Sequence, residues 1–277
     1  MVRLGVQLPN PIVPYDVVAT ARALEAVGVD TVFVSEHTHI PLATQSLVDD
    51  PDWLEGCKRI PDPFITLAMI AASTTTLRLG TGVALIPQHD PLVLAKTVAT
   101  LDVLSGGRVL LGIGAGWNAP ELLHHGVEVR QRFAVMREHV LALRALWTQE
   151  VAEFHGRYVD FGPSWQWPKP LQRGGPPIAL GGEGPTVLQR VVDYADAWMP
   201  NDHDGVIARM AELRLLAEAA GRDPIPTIPY GVEHDVERIQ RYAEAGCDLI
   251  DVEFRRARDG NQVSRVEGIA ALIAQMA

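Results

Sequence analysis

Short apolar runs alternate with longer amphipathic stretches along this chain, and the alternation occurs eight times. The short runs are Leu4–Leu8, Thr31–Ser35, Arg78–Ala84, Val109–Ile113, Ile178–Leu180, Ala197–Met199, Ile225–Ile228 and Leu249–Val252. Most are apolar on both faces, as strands of a parallel sheet covered on both sides require. The longer stretches read as helices. Over 130–148, Phe133, Met136, Val140, Leu143 and Trp147 recur at steps of three and four and mark one helical face. Asp62-Pro63 opens another helix with a capping carboxylate and a proline at the first helical position. Two segments echo each other: Glu25–Asp30 and Glu244–Asp248 each close a helix on a glycine, Gly28 and Gly246, before an apolar strand. Glycine there supplies the left-handed residue of the return.

Regular strand–helix alternation leaves two architectures, the doubly wound sheet and the closed barrel. Eight units in 277 residues predict the α/β class and a single (β/α)8 TIM barrel spanning 1–277, because such barrels take roughly 250 residues. Two connections exceed a turn: an insertion after strand 2, over 38–61, and one before strand 5, over 149–176. Long segments of this kind form lids, pocket walls or packed surface excursions.

Composition narrows the partners. With 47% hydrophobic and 21% charged residues the chain is an ordinary globular one, and its net charge of −10 argues against nucleic acid and anionic membrane. Cys57 and Cys247 make no disulfide framework and have no metal-type spacing, which suits a reducing compartment. No apolar run approaches the ~20 residues of a membrane span, and the chain enters its first strand without a cationic leader. The expectation is a soluble, cytoplasmic protein with a small-molecule partner.

Barrel enzymes build their sites at the C-terminal strand ends, so the strand map becomes a list of candidates. The first run offers Gln7; the second offers Glu36, His37 and His39. The third offers Thr81, Gly82 and Val83, then His89. The fourth gives Gly114, Gly116 and Trp117, the seventh Tyr230, and the eighth Glu253 and Arg255. At the fifth, Gly181-Gly182-Glu183-Gly184-Pro185-Thr186 passes from strand to a helix expected near Pro185. Glycines admit close approach of an anion, and the free N–H groups of a first helical turn can bind phosphate. A tight turn is the other reading, and Glu183 opposes the phosphate one unless its carboxylate points to solvent. Gly112-Ile113-Gly114-Ala115-Gly116-Trp117 lacks the third glycine and the helix of a dinucleotide fingerprint; it reads as room for a flat ring beside an aromatic wall.

The run Asp62-Pro63-Phe64 … Leu77-Arg78-Leu79-Gly80-Thr81-Gly82-Val83, continuing through Pro91-Leu92, Ala99-Thr100-Leu101-Asp102, Ser105-Gly106-Gly107-Arg108 and Gly112–Trp117, resembles the bacterial luciferase-like oxidoreductases. Arg132-Phe133, His155-Gly156-Arg157-Tyr158 and Gly181-Gly182 fit the same family, densest over 60–200. The resemblance implies a barrel that binds F420 or FMN. It places a bulge at Gly82-Val83, often with a non-proline cis peptide, behind the ring, and makes Gly181-Gly182 and the following turn the cofactor-phosphate loop. Ser35-Glu36-His37 is similar to the strand end of the F420-dependent branch, where an Asp often stands in place of Glu36.

The same resemblance implies hydride transfer between a deazaflavin and a small, apolar or cyclic substrate, in either direction. His37 is the expected proton donor or hydrogen-bond donor, with a structural histidine as the alternative. Glu36 either orients His37, binds the ring edge or pairs with an arginine. Gln7, His39, His89 and Tyr230 are expected on the substrate side, and Arg132 and Glu138 as a structural ion pair. An FMN-dependent monooxygenase is the near alternative. A metal-dependent hydrolase, raised by His37 and His39, lacks ligands on later strands apart from His203, so no metal is expected. A barrel that binds flavin without catalysis is the third reading, and homodimerisation fits the family.

Overall fold

A computed structural model describes residues 2–10, 15–254 and 261–276; Arg255 lies outside them. The strands are β1 (Arg3–Gln7), β2 (Thr31–Val34), β3 (Arg78–Thr81), β4 (Ala84–Leu85), β5 (Val109–Gly114), β6 (Ala152–His155), β7 (Asp160–Ser164), β8 (Ile178–Gly181), β9 (Ala197–Met199) and β10 (Leu249–Val252). The helices are α1 (Val17–Ala26), α2 (Pro51–Cys57), α3 (Pro63–Ala71), α4 (Pro91–Ser105), α5 (Ala119–His124), α6 (Arg132–Thr148), α7 (Val187–Tyr194), α8 (Val206–Ala219), α9 (Val236–Glu244) and α10 (Val266–Met276).

One local device starts three of these helices. Asp50-Pro51, Asp62-Pro63 and Asp90-Pro91 each place a carboxylate over the first-turn N–H groups and a proline where no N–H is needed. Gly28 and Gly246 close their helices at φ 91° and 99°, the left-handed return expected at both.

The parallel strands run β10-β1-β2-β3-β5-β8-β9, and β4 pairs with β5. The third apolar run is thus split at 82–83, where the Gly82–Val83 peptide is cis. The seventh run departs further from expectation. Ile225–Ile228 forms no regular ladder, because Pro224, Pro226 and Pro229 have no N–H to contribute. Their carbonyls still work: Trp198 N donates to Pro226 O at 2.9 Å and Asp251 N to Pro229 O at 2.8 Å. Isolated bridges Trp198–Thr227, Asn201–Tyr230 and Val232–Val252 tie this segment to β9 and β10 and close the barrel.

Side chains alternate across each strand. Outward ones, such as Val6, Val32, Leu79, Leu111 and Ile250, pack on the helices. Inward ones form a separate plug of Phe33, Leu110, Ala179, Met199, Ile228 and Leu249. Phe33 lies between Gly5 and Gly80, where an added Cβ would come within 2.7 and 2.4 Å of its ring. The plug closes the barrel below and leaves the next inward layer as the floor of the mouth.

The two insertions differ. The segment after β2 carries α2, which delivers Trp53 and Cys57 to the mouth. The segment before β8 is an antiparallel hairpin, β6–β7, followed by an irregular stretch laid over α4 and α6. Lys169 Nζ donates to Leu146 O at 2.8 Å, and Gln166 Nε2 to Leu92 O at 2.9 Å. Residues 149–176 therefore form a packed surface excursion. Among the described residues no helix is long and apolar enough to cross a membrane.

Candidate active site

The floor of the mouth has two unlike halves. On the side of β1, β2 and β10 it is polar: Gln7, Ser35, Tyr230 and Asp251. On the side of β3, β5 and β8 it is glycine: Gly82, Gly114 and Gly181. Val83 sits over the glycine half. An added Cβ at Gly114 would lie 2.7 Å from Val83 Cγ2, and one at Gly181 3.2 Å from Val83 Cγ1. The glycines therefore seat Val83, and with it the bulge at 82–83, against the sheet. Tyr230 Oη donates to Gly82 O at 2.8 Å and fastens the bulge from the opposite wall. Burial first, and then the charge of Asp251, push the Tyr230 hydroxyl well above its ordinary range, so it stays a donor.

Above this floor lies a cavity of about 550 Å³, within the usual range of roughly 300–1,000 Å³ for small-molecule sites. Of the residues expected at the site, Gln7, Glu36, His37, Gly82, Val83 and Tyr230 line it. So do Gly114, Gly116, Trp117, Gly181 and Gly182. Trp53, Cys57 and Phe133 complete the aromatic and apolar wall. Burial, and then the charge of Glu121, push the Cys57 thiol up to about 11, so it is not a thiolate at neutral pH.

His37 is held by a partner that the strand-end argument does not single out. Its Nδ1 lies 2.7 Å from Oε2 of Glu121, whose side chain is fully buried on α5. Trp117 Nε1–H points at His37 Nε2 from 3.3 Å. Indole nitrogen only donates, so Nε2 is the acceptor and the ring's proton sits on Nδ1, facing Glu121. Burial works to raise the Glu121 carboxyl, but the His37 hydrogen bond and charge and the Thr38 N–H outweigh it and hold it below the usual carboxylate range. The available sequence signal for Glu121 is an acid inside the apolar start of a helix, Pro120-Glu121-Leu122.

Glu36 does not orient His37 and meets no arginine. Its carboxylate accepts from Leu85 N at 2.6 Å and lies 2.8 Å from His89 Nε2. His89 is thus taken up behind the wall, edge-on to Phe64, and not on the substrate side. His39 also lies outside the cavity. It stacks on His124 at the exposed rim, with Nε2 2.8 Å from His124 Nδ1. Thr81 Oγ1 donates to Gly112 O at 2.6 Å and belongs to the barrel wall. Arg132 and Glu138 form no pair: Arg132 donates to Val129 O, and Glu138 accepts from the backbone of Arg157, Tyr158 and Val159.

The turn after β8 differs from expectation in detail. The helix starts at Val187 and not near Pro185, and Thr186 makes no side-chain cap. Glu183, Gly184, Pro185 and Thr186 stand outside the cavity wall. The Glu183 carboxylate stays partly exposed and accepts from Asn201 N at 2.9 Å. Arg209 donates to the carbonyls of Glu183 and Gly184 and braces the turn from behind. Gly182 has φ +112° with open space where a Cβ would stand, so the backbone is bare toward the cavity. Phe133 is bracketed by the guanidiniums of Arg132 and Arg190, 4.4 and 3.7 Å from its ring centre. Arg132 lines the same cavity as Gly181 and Gly182.

A barrel mouth with a flat glycine-backed floor, an aromatic wall and one histidine oriented by a buried carboxylate defines a class of oxidoreductase that binds a planar ring cofactor. Residues 2–271 match the family model described as luciferase-like monooxygenase, and the chain belongs to that family. It is 40% identical over 270 residues to the uncharacterized protein Rv0953c of Mycobacterium tuberculosis, covering 92% of this chain and 93% of that one. It is 28% identical over 264 residues to the F420-dependent hydroxymycolic acid dehydrogenase of the same organism, covering 90% and 69%. The structure of coenzyme F420 dependent tetrahydromethanopterin reductase from Methanopyrus kandleri superposes with a TM-score of 0.79 at 17% identity, covering 100% of this chain and 99% of that one. The expected TIM-barrel fold and the expected family are both borne out. Among the described residues no group of three or more His, Cys, Asp or Glu side chains is placed to hold a metal ion.

Proposed function

We propose that this chain is an F420-dependent oxidoreductase acting on the alcohol or carbonyl carbon of a small organic substrate. The observation that carries the reading is the Glu121–His37 pair, whose Nε2, met by Trp117 Nε1–H at 3.3 Å, lies at the wall of the cavity above the Gly82-Val83 floor. Two relatives with assigned activities support the cofactor: the hydroxymycolic acid dehydrogenase and a glucose-6-phosphate dehydrogenase of Amycolatopsis mediterranei are both named F420-dependent.

The residues present fit a deazaflavin. The bulge at 82–83 offers a flat backing, Gly181-Gly182 a bare backbone for a phosphate, and Arg132 the countercharge. A bound deazaflavin supplies the hydride acceptor or donor. The protein handles the proton. With Nδ1–H held by Glu121, His37 Nε2 takes the proton from a substrate hydroxyl, and in the reverse direction the protonated ring returns it. Ionised Glu121 stabilises the imidazolium formed in between. Trp117 and Trp53, with ring centres 5.4 Å apart, cover this corner and limit water.

Titration of the chain with F420 and, separately, with FMN tests the reading by following each cofactor's fluorescence. Saturable binding of F420 followed by its reduction with an alcohol is the expected result. Retention of FMN with no response to F420 rejects it in favour of a flavin monooxygenase.

A further inference from the structure

A second chamber of about 540 Å³ adjoins the first, and Gln7, Asn10 and Trp53 line both. Its far wall is β10, and the residue that β10 turns into it is Asp251. This side chain is completely buried. Its Oδ2 accepts from Gly231 N at 3.1 Å, while Oδ1 has no hydrogen-bond partner among the described residues.

That is a costly arrangement for a residue with only a structural task. A carboxyl has room for about four hydrogen bonds, and leaving a buried oxygen bare costs roughly 1–3 kcal/mol. Leucine would sit in the same place with no polar atom left bare. The neighbouring polar groups of the floor are engaged: Gln7 donates to Ser35, Ser35 bonds Tyr230, and Tyr230 donates to Gly82 O. Among the described residues of this layer Asp251 alone keeps an oxygen unused, at the wall of a chamber that adjoins the reacting cavity.

We propose that Asp251, with Gln7 and Asn10 at the chamber boundary, is the subsite for a second hydroxyl of the substrate, remote from the carbon that reacts. The inference rests on the reading of the chain as an F420-dependent oxidoreductase and narrows its substrate to alcohols or ketones that carry a further hydroxyl. The choice of hydroxyl comes from the chemistry of the wall. Burial keeps the Asp251 carboxyl uncharged up to about pH 8, so it both donates and accepts, as a hydroxyl does. A substrate carboxylate would meet Asp52, Glu233 and Glu253 in the same chamber, and at Asp251 itself an uncharged carboxyl pairs with a hydroxyl and not with a cation.

The test compares trans-1,4-cyclohexanediol with cyclohexanol as ligands of the full chain, by saturation-transfer NMR and quenching of tryptophan fluorescence. Binding is measured with and without F420. The diol is expected to bind at least tenfold more tightly to the wild type. Asp251→Asn, which keeps a donor and an acceptor, is expected to retain the preference, and Asp251→Leu to abolish it. If Asp251→Leu does not fold, Gln7→Leu at the boundary takes its place and is expected to reduce the preference. Equal binding of the two ligands by the wild type, as when Oδ1 holds only an ordered water, overturns the proposal. So does a preference that survives the leucine variants. Failure to bind F420 removes the functional reading instead, and the cofactor-free comparison still decides the subsite.

Discussion

Nδ1 of His37 and Oε2 of Glu121 stand 2.7 Å apart, although 84 positions separate them in the chain. The bond joins the end of β2 to α5 and settles which nitrogen of the imidazole faces the cavity. Glu121→Gln keeps the shape and removes the negative charge that stabilises the protonated ring. Turnover with F420 is expected to fall by about 10²–10⁴-fold, and His37→Gln by a similar factor. The double variant is expected to be little worse than either single one, because the two side chains act as a unit. F420 affinity should be nearly unchanged in all three. A Glu121→Gln enzyme with wild-type turnover would remove this pair from the mechanism.

Gly114 has a different kind of importance. A methyl group there would meet Val83 Cγ2 at 2.7 Å, closer than real carbon contacts allow, so the bulge over the floor must move. Gly114→Ala is expected to weaken F420 binding by tenfold or more in a fluorescence titration. Its effect on unfolding should be smaller than its effect on binding. Gly126→Ala, where φ is +76° but nothing lies within 4 Å, serves as the comparison: it should cost some stability and leave affinity alone.

Glu36 is a pillar of the wall and not a proton carrier. Its carboxylate satisfies Leu85 N and His89 together. Glu36→Ala strands both groups in the interior and is expected to lower stability by about 3 kcal/mol, read from urea unfolding. A change under about 0.5 kcal/mol, the size typical of an exposed position, would contradict that assignment.

Asp251 predicts a pH dependence of stability with a definite sign. Burial raises its carboxyl from 3.8 to about 8, against the Gly231 N–H, which works to lower it. Between those values the folded chain holds a proton that the unfolded chain has lost. Stability contributed by this group therefore falls as pH rises from about 4 to about 8 and levels off beyond. Asp251→Asn should flatten that slope and gain a few kcal/mol over the wild type at about pH 8. Unfolding curves at several pH values check it; parallel slopes for the two proteins would show that the carboxyl is not buried as described.

The barrel is readable along the chain because its strands are local apolar runs and its helices open on local signals such as Asp62-Pro63. Ile225–Ile228 is the element that such a reading gets wrong. Apolar pattern alone does not register that Pro224, Pro226 and Pro229 have no hydrogen to give, and hydrogen-bond donors, not hydropathy, decide a ladder. His37 is legible from its place at a strand end, and so are the glycines of the floor. Their partners are not. Neighbours along a strand point to opposite faces, so Glu36 and His37 diverge, and each finds its companion on another element: His89 beyond β4, Glu121 on α5. By itself, then, the sequence determined the class of fold, the family and the end of the barrel where the chemistry lies. Only the tertiary structure decided which carboxylate serves the histidine, which glycines seat Val83, and that one oxygen of Asp251 remains bare. Those are pairings across long separations, and nothing in local periodicity encodes them.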